Sequence, residues 1–172
     1  CNPVWIMRQA GRYLPEFRKI RKKNPNFINL CLNDNLSAEI TLQPVRRFDL
    51  DAAIIFSDIL MLPYGLNQKV EFIKNFGPKL GELNLNDMDK FDESHFVQKI
   101  DSVYKAIKKV SSDPILNKKN TIGFVGAPWT LLVYMINQKS PKKELKKNFF
   151  GNESYINKIL LIIEKFLKVH IK

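Results

Sequence analysis

Cysteine, histidine and long apolar runs are scarce in this chain, and each shortage excludes a class of protein. The 172 residues hold two cysteines, Cys1 and Cys31. They form no C-x-x-C pair and no disulfide framework, so a reducing compartment is expected. Two histidines are present, His95 and His170. His95 has no second His, Cys or acid at ligand spacing and is expected at the surface, and no metal site is expected. The longest apolar runs, such as Ile159-Leu-Leu-Ile-Ile163, fall far short of the roughly 20 residues a membrane helix needs, so no membrane span is expected. No internal repeat, low-complexity segment or linker divides the sequence. Acids are outnumbered by bases, 17 against 28, leaving a net charge of +11.

What is present fits one cored α/β domain: 45% hydrophobic and 26% charged residues are ordinary for a soluble globular protein. A charge of +11 is compatible with nucleic acid, an anionic membrane or acidic substrates. The lysines, however, are scattered in short pairs among many asparagines, as on a solvated surface. The arginines are concentrated instead. Four of the six, Arg8, Arg12, Arg18 and Arg21, fall in the first twenty-one residues. Interleaved with Gly11 and Pro15, they read as a loop that presents guanidinium groups. A guanidinium is a planar fork that matches a carboxylate or phosphate bidentately, so the cluster suggests a ligand with more than one anionic group.

Further along, Asn24-Pro25-Asn26 signals a turn. Ser37 is the expected N-cap of a helix over 38–48, bent at Pro44, with Arg46 and Arg47 in its last turn, where the helix dipole favours cations without any ligand. Residues 51–56 form a continuous apolar run, the pattern of a parallel strand buried on both faces. Asp58 then stands at the carboxyl end of that strand, where α/β folds place ligands and catalytic side chains; an N-cap role is the alternative. Val70–Ile73 reads as a short strand, Gly77-Pro78 as a turn, and 94–110 as an amphipathic helix. Residues 121–125 read as a second buried strand running through Gly126 into a helix that Thr130 would cap. Tyr134, one turn into it, either faces the site or lies in the core. A last helix follows from Glu153, with Ile156, Leu160, Ile163 and Leu167 at helical spacing. Strand, helix, strand, helix implies a parallel sheet and suits a (β/α) barrel, of which two or three of eight units would be present. The first residue is Cys1 and the last seven stop inside a helical pattern. The chain is therefore expected to be cut at both ends, a single incomplete domain over 1–172.

Pro3-Val-Trp-Ile-Met-Arg-Gln-Ala-Gly-Arg-Tyr-Leu-Pro-Glu-Phe-Arg18 resembles the N-terminal signature of the uroporphyrinogen decarboxylase family, and Ile122-Gly-Phe-Val-Gly-Ala-Pro-Trp-Thr-Leu131 resembles its second signature. Residues 41–48 and 52–60 also resemble that family, in the expected order. The resemblance covers nearly the whole chain and about the N-terminal half of the enzyme. It implies a (β/α)₈ TIM barrel, usually a homodimer, that decarboxylates the four acetate side chains of uroporphyrinogen without a cofactor. By motif position Arg8, Gln9, Ala10, Gly11, Arg12 and Arg21 would hold substrate carboxylates. Asp58 would face the pyrrole N–H groups, Phe124 would pack near the macrocycle, and Tyr134 would hydrogen-bond at the reacting pyrrole. Arg8, Asp58 and Tyr134 would be catalytic. The substrate's eight carboxylates suit an arginine cluster.

Two departures stand out. The family's later serine and histidine contacts lie beyond the last residue. Asn137–Lys143 replaces a stretch that is often glycine-rich. A piece of this size is expected to be inactive alone. The expected compartment is the cytoplasm, with a plastid or other organelle open, because a targeting peptide would have been lost with the N-terminus. Two alternatives compete. Corrinoid or thiol methyltransferases share the barrel but generally lack the full arginine signature. A basic nucleic-acid-binding module would interleave arginines and aromatics on a continuous surface, which the buried-strand pattern around Asp58 argues against.

Overall fold

The structure, a computed structural model, describes residues 2–6, 12–89, 92–140 and 151–172. These residues form an α/β arrangement of helices and two two-stranded sheets, with no closed barrel among them. No helix among the described residues is long and apolar enough to cross a membrane. The chain divides into two compact units, residues 1–58 with 101–124 and residues 59–100 with 125–172.

The first unit opens with α1 (Pro15–Lys23), followed by α2 (Phe27–Cys31) and α3 (Asp34–Phe48). Arg18 and Arg21 therefore stand on a helix, not on the loop that Gly11 and Pro15 suggest. Pro15 starts α1 instead of breaking it, because a proline in the first turn has the right φ and its missing N–H would be unsatisfied there anyway. Glu16 in the first turn and Arg21, Lys22 and Lys23 in the last complement the dipole, while Phe17 is buried. The start of α3 also differs from expectation. Asn33 is the cap, its side chain accepting from Leu36 N–H at 3.0 Å, and Ser37 lies one turn inside, buried. The helix continues through Pro44 and ends at Asp49 in the left-handed conformation (φ 48°, ψ 45°).

β1 (Ala52–Ile54) pairs in parallel with β4 (Asn120–Ile122), Ala53 opposite Thr121 and Ile54 opposite Ile122. The core of this unit joins Ala38, Leu42 and Val45 of α3 to Ala53 and Ile55, with Val110 and Leu116 behind. The buried strand expected over 121–125 is instead Asn120–Ile122, and of the residues expected in it Thr121, Gly123, Phe124 and Val125 are exposed. Among the described residues β4 has β1 as its one strand neighbour, and a strand flanked on one side has nothing to bury its other edge. The outermost segment, residues 2–6, is tied to the start of β1: Val4 N–H donates to Asp51 Oδ2 at 2.6 Å, and Asp51 N–H to Val4 C=O at 2.9 Å.

The second unit contains α4 (Met61–Gly65), the hairpin β2 (Val70–Ile73) and β3 (Gly77–Leu80), α5 (Leu85–Asp89), α7 (Pro128–Asn137) and α8 (Glu153–Ile171). Gly77 and Pro78 belong to β3. The turn comes earlier, where Asn75 takes φ 65° and Phe76 N–H returns to Ile73 C=O. Gly65 permits a close approach, since a Cβ there would stand 2.5 Å from Phe96 Cε2. Phe96 in turn packs on Phe166 of α8, ring centroids 4.9 Å apart. On α8, Ile159 and Phe166 join Ile156, Ile163 and Leu167 in the core, and Leu160 is half-buried. α7 is capped by Ala127 with Pro128 at its first position, so Thr130 lies inside the helix. α6 (Glu93–Ser111) runs where the apolar spacing predicts, but departs from helical geometry at Ile100 (φ −115°, ψ 16°), and the division between the units falls there.

Candidate active site

The strand that leads to Asp58 leaves regular structure after Ile54, and α4 begins at Met61, so Asp58 sits half-buried on an irregular segment. What fixes this segment is Phe56. Its ring is buried against Phe17 of α1 (centroids 6.1 Å, 67°) and Phe27 of α2 (5.7 Å, 80°), both edge-on contacts. α1 carries Arg21. The Arg21 guanidinium lies over the Phe27 ring at 5.7 Å and donates through Nη1 to Asn24 C=O at 2.5 Å. One aromatic cluster therefore fastens an arginine helix to the strand end that bears the carboxylate.

Arg21 and Asp58 also act on a common neighbour, Cys31, which is fully buried at the end of α2. Burial is the main cause that pushes its thiol pKa far above 9.0; the negative charge of Asp58 adds to the rise and the positive charge of Arg21 opposes it. A thiol so placed stays protonated and is no nucleophile. Phe124 follows β4 with 43% of its surface exposed. It stands two residues past the last registered pair of its strand, as Phe56 does on β1, so both aromatic residues follow the carboxyl ends of paired strands. Arg12 is exposed in a turn. Arg8, Gln9, Ala10 and Gly11 lie outside the described residues. Tyr134 is half-buried on α7 in the second unit.

Arg46 and Arg47 are held in ion pairs within the fold. Arg47 grips Glu16 bidentately, Nε to Oε1 at 2.9 Å and Nη2 to Oε2 at 3.0 Å, tying α3 to α1. The Arg47 hydrogen bond is the main cause holding the Glu16 carboxyl below its usual range. Arg46 pairs with Glu39 at 2.6 Å and lies 3.8 Å from Asp113. His95 is exposed as expected, but it does have an acid at helical spacing: it pairs with Asp92, three residues before it, at 2.9 Å. Among the described residues no group of three His, Cys, Asp or Glu is arranged to hold a metal ion.

Uroporphyrinogen decarboxylase (URO-D) is the family whose sequence pattern this chain matches, over residues 1–172. The chain belongs to that family. Its relatives include the uroporphyrinogen decarboxylase of Rickettsia canadensis, 44% identical over 95% of this chain and 49% of the relative. That of Rickettsia felis is 41% identical over 98% and 49%, and that of Chelativorans sp. 41% over 87% and 43%. The chain spans about half the length of the curated relatives it matches. Within this uroporphyrinogen decarboxylase family member, Arg12, Arg18 and Arg21 and the segment bearing Asp58 fall in one compact unit. Sequence spacing gives no sign of the parts that join them. Phe56 is one aromatic residue in an apolar run, and Phe17 and Phe27 lie amid basic and polar neighbours. An aromatic residue preceding an acid at a strand end is the one available signal.

Proposed function

We propose that the protein carrying this chain decarboxylates uroporphyrinogen to coproporphyrinogen, converting four acetate side chains to methyls without a cofactor, in a homodimeric (β/α)₈ barrel of which residues 1–172 supply the opening units. The observation that carries the reading is the aromatic joint: α1, which bears Arg21, packs through Phe17, and α2 through Phe27, on the residue two positions before Asp58. On this reading the arginines supply a cationic wall, and Asp58 the central carboxylate, for one polycarboxylate ligand. Arg8, Gln9, Ala10, Gly11, Arg12 and Arg21 hold the carboxylates, Phe124 flanks the macrocycle, and Tyr134 hydrogen-bonds at the reacting pyrrole. The reducing compartment that suits a sequence without a C-x-x-C pair or disulfide framework is the cytoplasm, with a plastid or other organelle open.

Loss of CO₂ from a pyrrole acetate releases an electron pair that needs a sink. Protonating the ring at its α-carbon supplies one, and the net change per side chain is CH₂COO⁻ plus H⁺ to CH₃ plus CO₂. Asp58 accepts hydrogen bonds from the pyrrole N–H groups and stabilises the cation as it forms. Arg8 positions the reacting carboxylate; its guanidinium does not give up a proton at neutral pH. Asp58→Ala in the protein that carries this chain should lower coproporphyrinogen formation by about 10²–10³-fold, the loss typical of one preorganised group, with the unfolding midpoint preserved. Near-normal turnover would overturn the assignment. Residues 1–172 alone should show no activity.

A further inference from the structure

We propose that Ser37 and Thr41 are positioning residues for Asp58: two buried hydroxyls of α3 hold the peptide groups on either side of Phe56 and so set the direction in which the carboxylate two residues on is aimed. The proposal rests on Asp58 being the catalytic carboxylate.

Strand backbone groups ordinarily bond to a neighbouring strand. Ile55 does so, donating its N–H to Ile122 C=O at 3.0 Å. Phe56 does not. Its N–H donates to Thr41 Oγ1 at 2.8 Å, and its C=O accepts from Ser37 Oγ at 2.5 Å. Thr41 commits its own proton to Ser37 C=O at 2.8 Å, which leaves its oxygen as the acceptor for Phe56. The direction of each bond is thereby fixed. Both residues are 1% exposed, so water does not compete, and in such surroundings an unmade hydrogen bond is costly.

Hydroxyl side chains are indifferent helix formers, because they compete for backbone hydrogen bonds. Here they occupy the buried face of α3, beside Ala38 and Leu42. Packing alone would be served by apolar side chains at both positions. What the hydroxyls add is a grip on both peptide groups of Phe56, directly before residues 57–58, which belong to no helix or strand. The Phe56 ring is held separately by Phe17 and Phe27, so backbone and side chain of one residue are both immobilised. A carboxylate on an irregular segment thus gains the placement of one on a rigid element.

The test uses the protein that carries this chain, with Thr41→Val, Thr41→Ser, Ser37→Ala and Asp58→Asn. Measured are kcat and KM for uroporphyrinogen, the unfolding midpoint, and exchange of the Phe56 amide. Thr41→Val should lower kcat by about 10²-fold, the size of a 1 Å misplacement, with KM within about threefold of the parent. It should also speed Phe56 amide exchange, and Thr41→Ser should restore both. A folded Thr41→Val protein with parental kcat overturns the proposal. Where Thr41→Val does not fold, Ser37→Ala, which releases only the Phe56 carbonyl, decides: a lowered kcat supports the proposal and an unchanged one overturns it. Asp58→Asn separates the two levels. Parental turnover in that variant removes the catalytic reading and the proposal with it, whereas a dead Asp58→Asn beside a fully active Thr41→Val removes only the positioning role.

Discussion

Phe56→Leu, made alone and together with Phe17→Leu, should expose the energy that fastens the arginine helix to the strand end. Phe56 is 7% exposed and makes two edge-on ring contacts, at 6.1 and 5.7 Å. Each aromatic pair of this kind contributes about 0.5–1.5 kcal/mol beyond the area it buries, so losing both costs about 1–3 kcal/mol. Leucine keeps much of the apolar contact, and its total cost should stay below the about 3–5 kcal/mol of a phenylalanine cut back to alanine. Urea denaturation of the four proteins of a double-mutant cycle isolates the Phe17–Phe56 pair. The double variant should lose about 0.5–1.5 kcal/mol less than the sum of the single losses. Effects that add within about 0.3–0.5 kcal/mol would show that the rings are neighbours without being coupled, and the aromatic joint would lose its role. The same variant bears on function. With α1 less firmly seated, KM for the polycarboxylate should rise more than kcat falls.

Three other outcomes follow from the same structure. Asn33→Ala should cost about 0.5–2 kcal/mol, read from the denaturation midpoint, because it removes the cap of α3; a cost from Ser37→Ala without one from Asn33→Ala would contradict the helix start. The Cys31 thiol is held protonated in the folded protein, so above its ordinary pKa of 9.0 the unfolded chain releases a proton that the folded one keeps. Stability should therefore fall by about 1.4 kcal/mol per pH unit above that point on this account, and Cys31→Ala should remove that part of the slope in urea titrations across pH 8–11. Gly65→Ala should destabilise by about 1–3 kcal/mol, since the added methyl meets the Phe96 ring, itself packed on Phe166; a neutral or stabilising result in thermal unfolding would show that the ring can move aside.

Periodic elements are the ones that sequence makes plain. α6 and α8 appear where apolar residues recur at helical spacing, because burial of one face is a local property of the pattern. Features that depend on a choice between adjacent polar residues are harder. Asn33, Asp34, Asn35 and Ser37 are all reasonable caps, and the helix takes the earliest. Pro15 reads as a breaker or a starter with equal right, and only the burial of Leu14 and Phe17 decides for a helix. Burial of β4 is set by its neighbours in the sheet, which no local pattern records. In the candidate site, the sequence singles out Asp58 by its place after an apolar strand, and the arginines by their concentration. It does not single out the joint at Phe56 or the hydroxyl grip, because each requires contacts across 15 to 39 positions of sequence; the Ser37 link alone spans 19.

Among the described residues no strand pairs with the far side of β4, which has a consequence for handling residues 1–172. A strand edge with unpaired N–H and C=O groups is a template for another strand, and proteins usually shield such edges with charge, proline or a covering element. Here the segment that continues the edge is Ile122-Gly-Phe-Val125, with Phe124 and Val125 exposed and no charged residue among the four. Produced as residues 1–172, the protein should self-associate as its concentration rises, and a lysine at Val125 should raise its solubility without disturbing the ladder from Asn120 to Ile122.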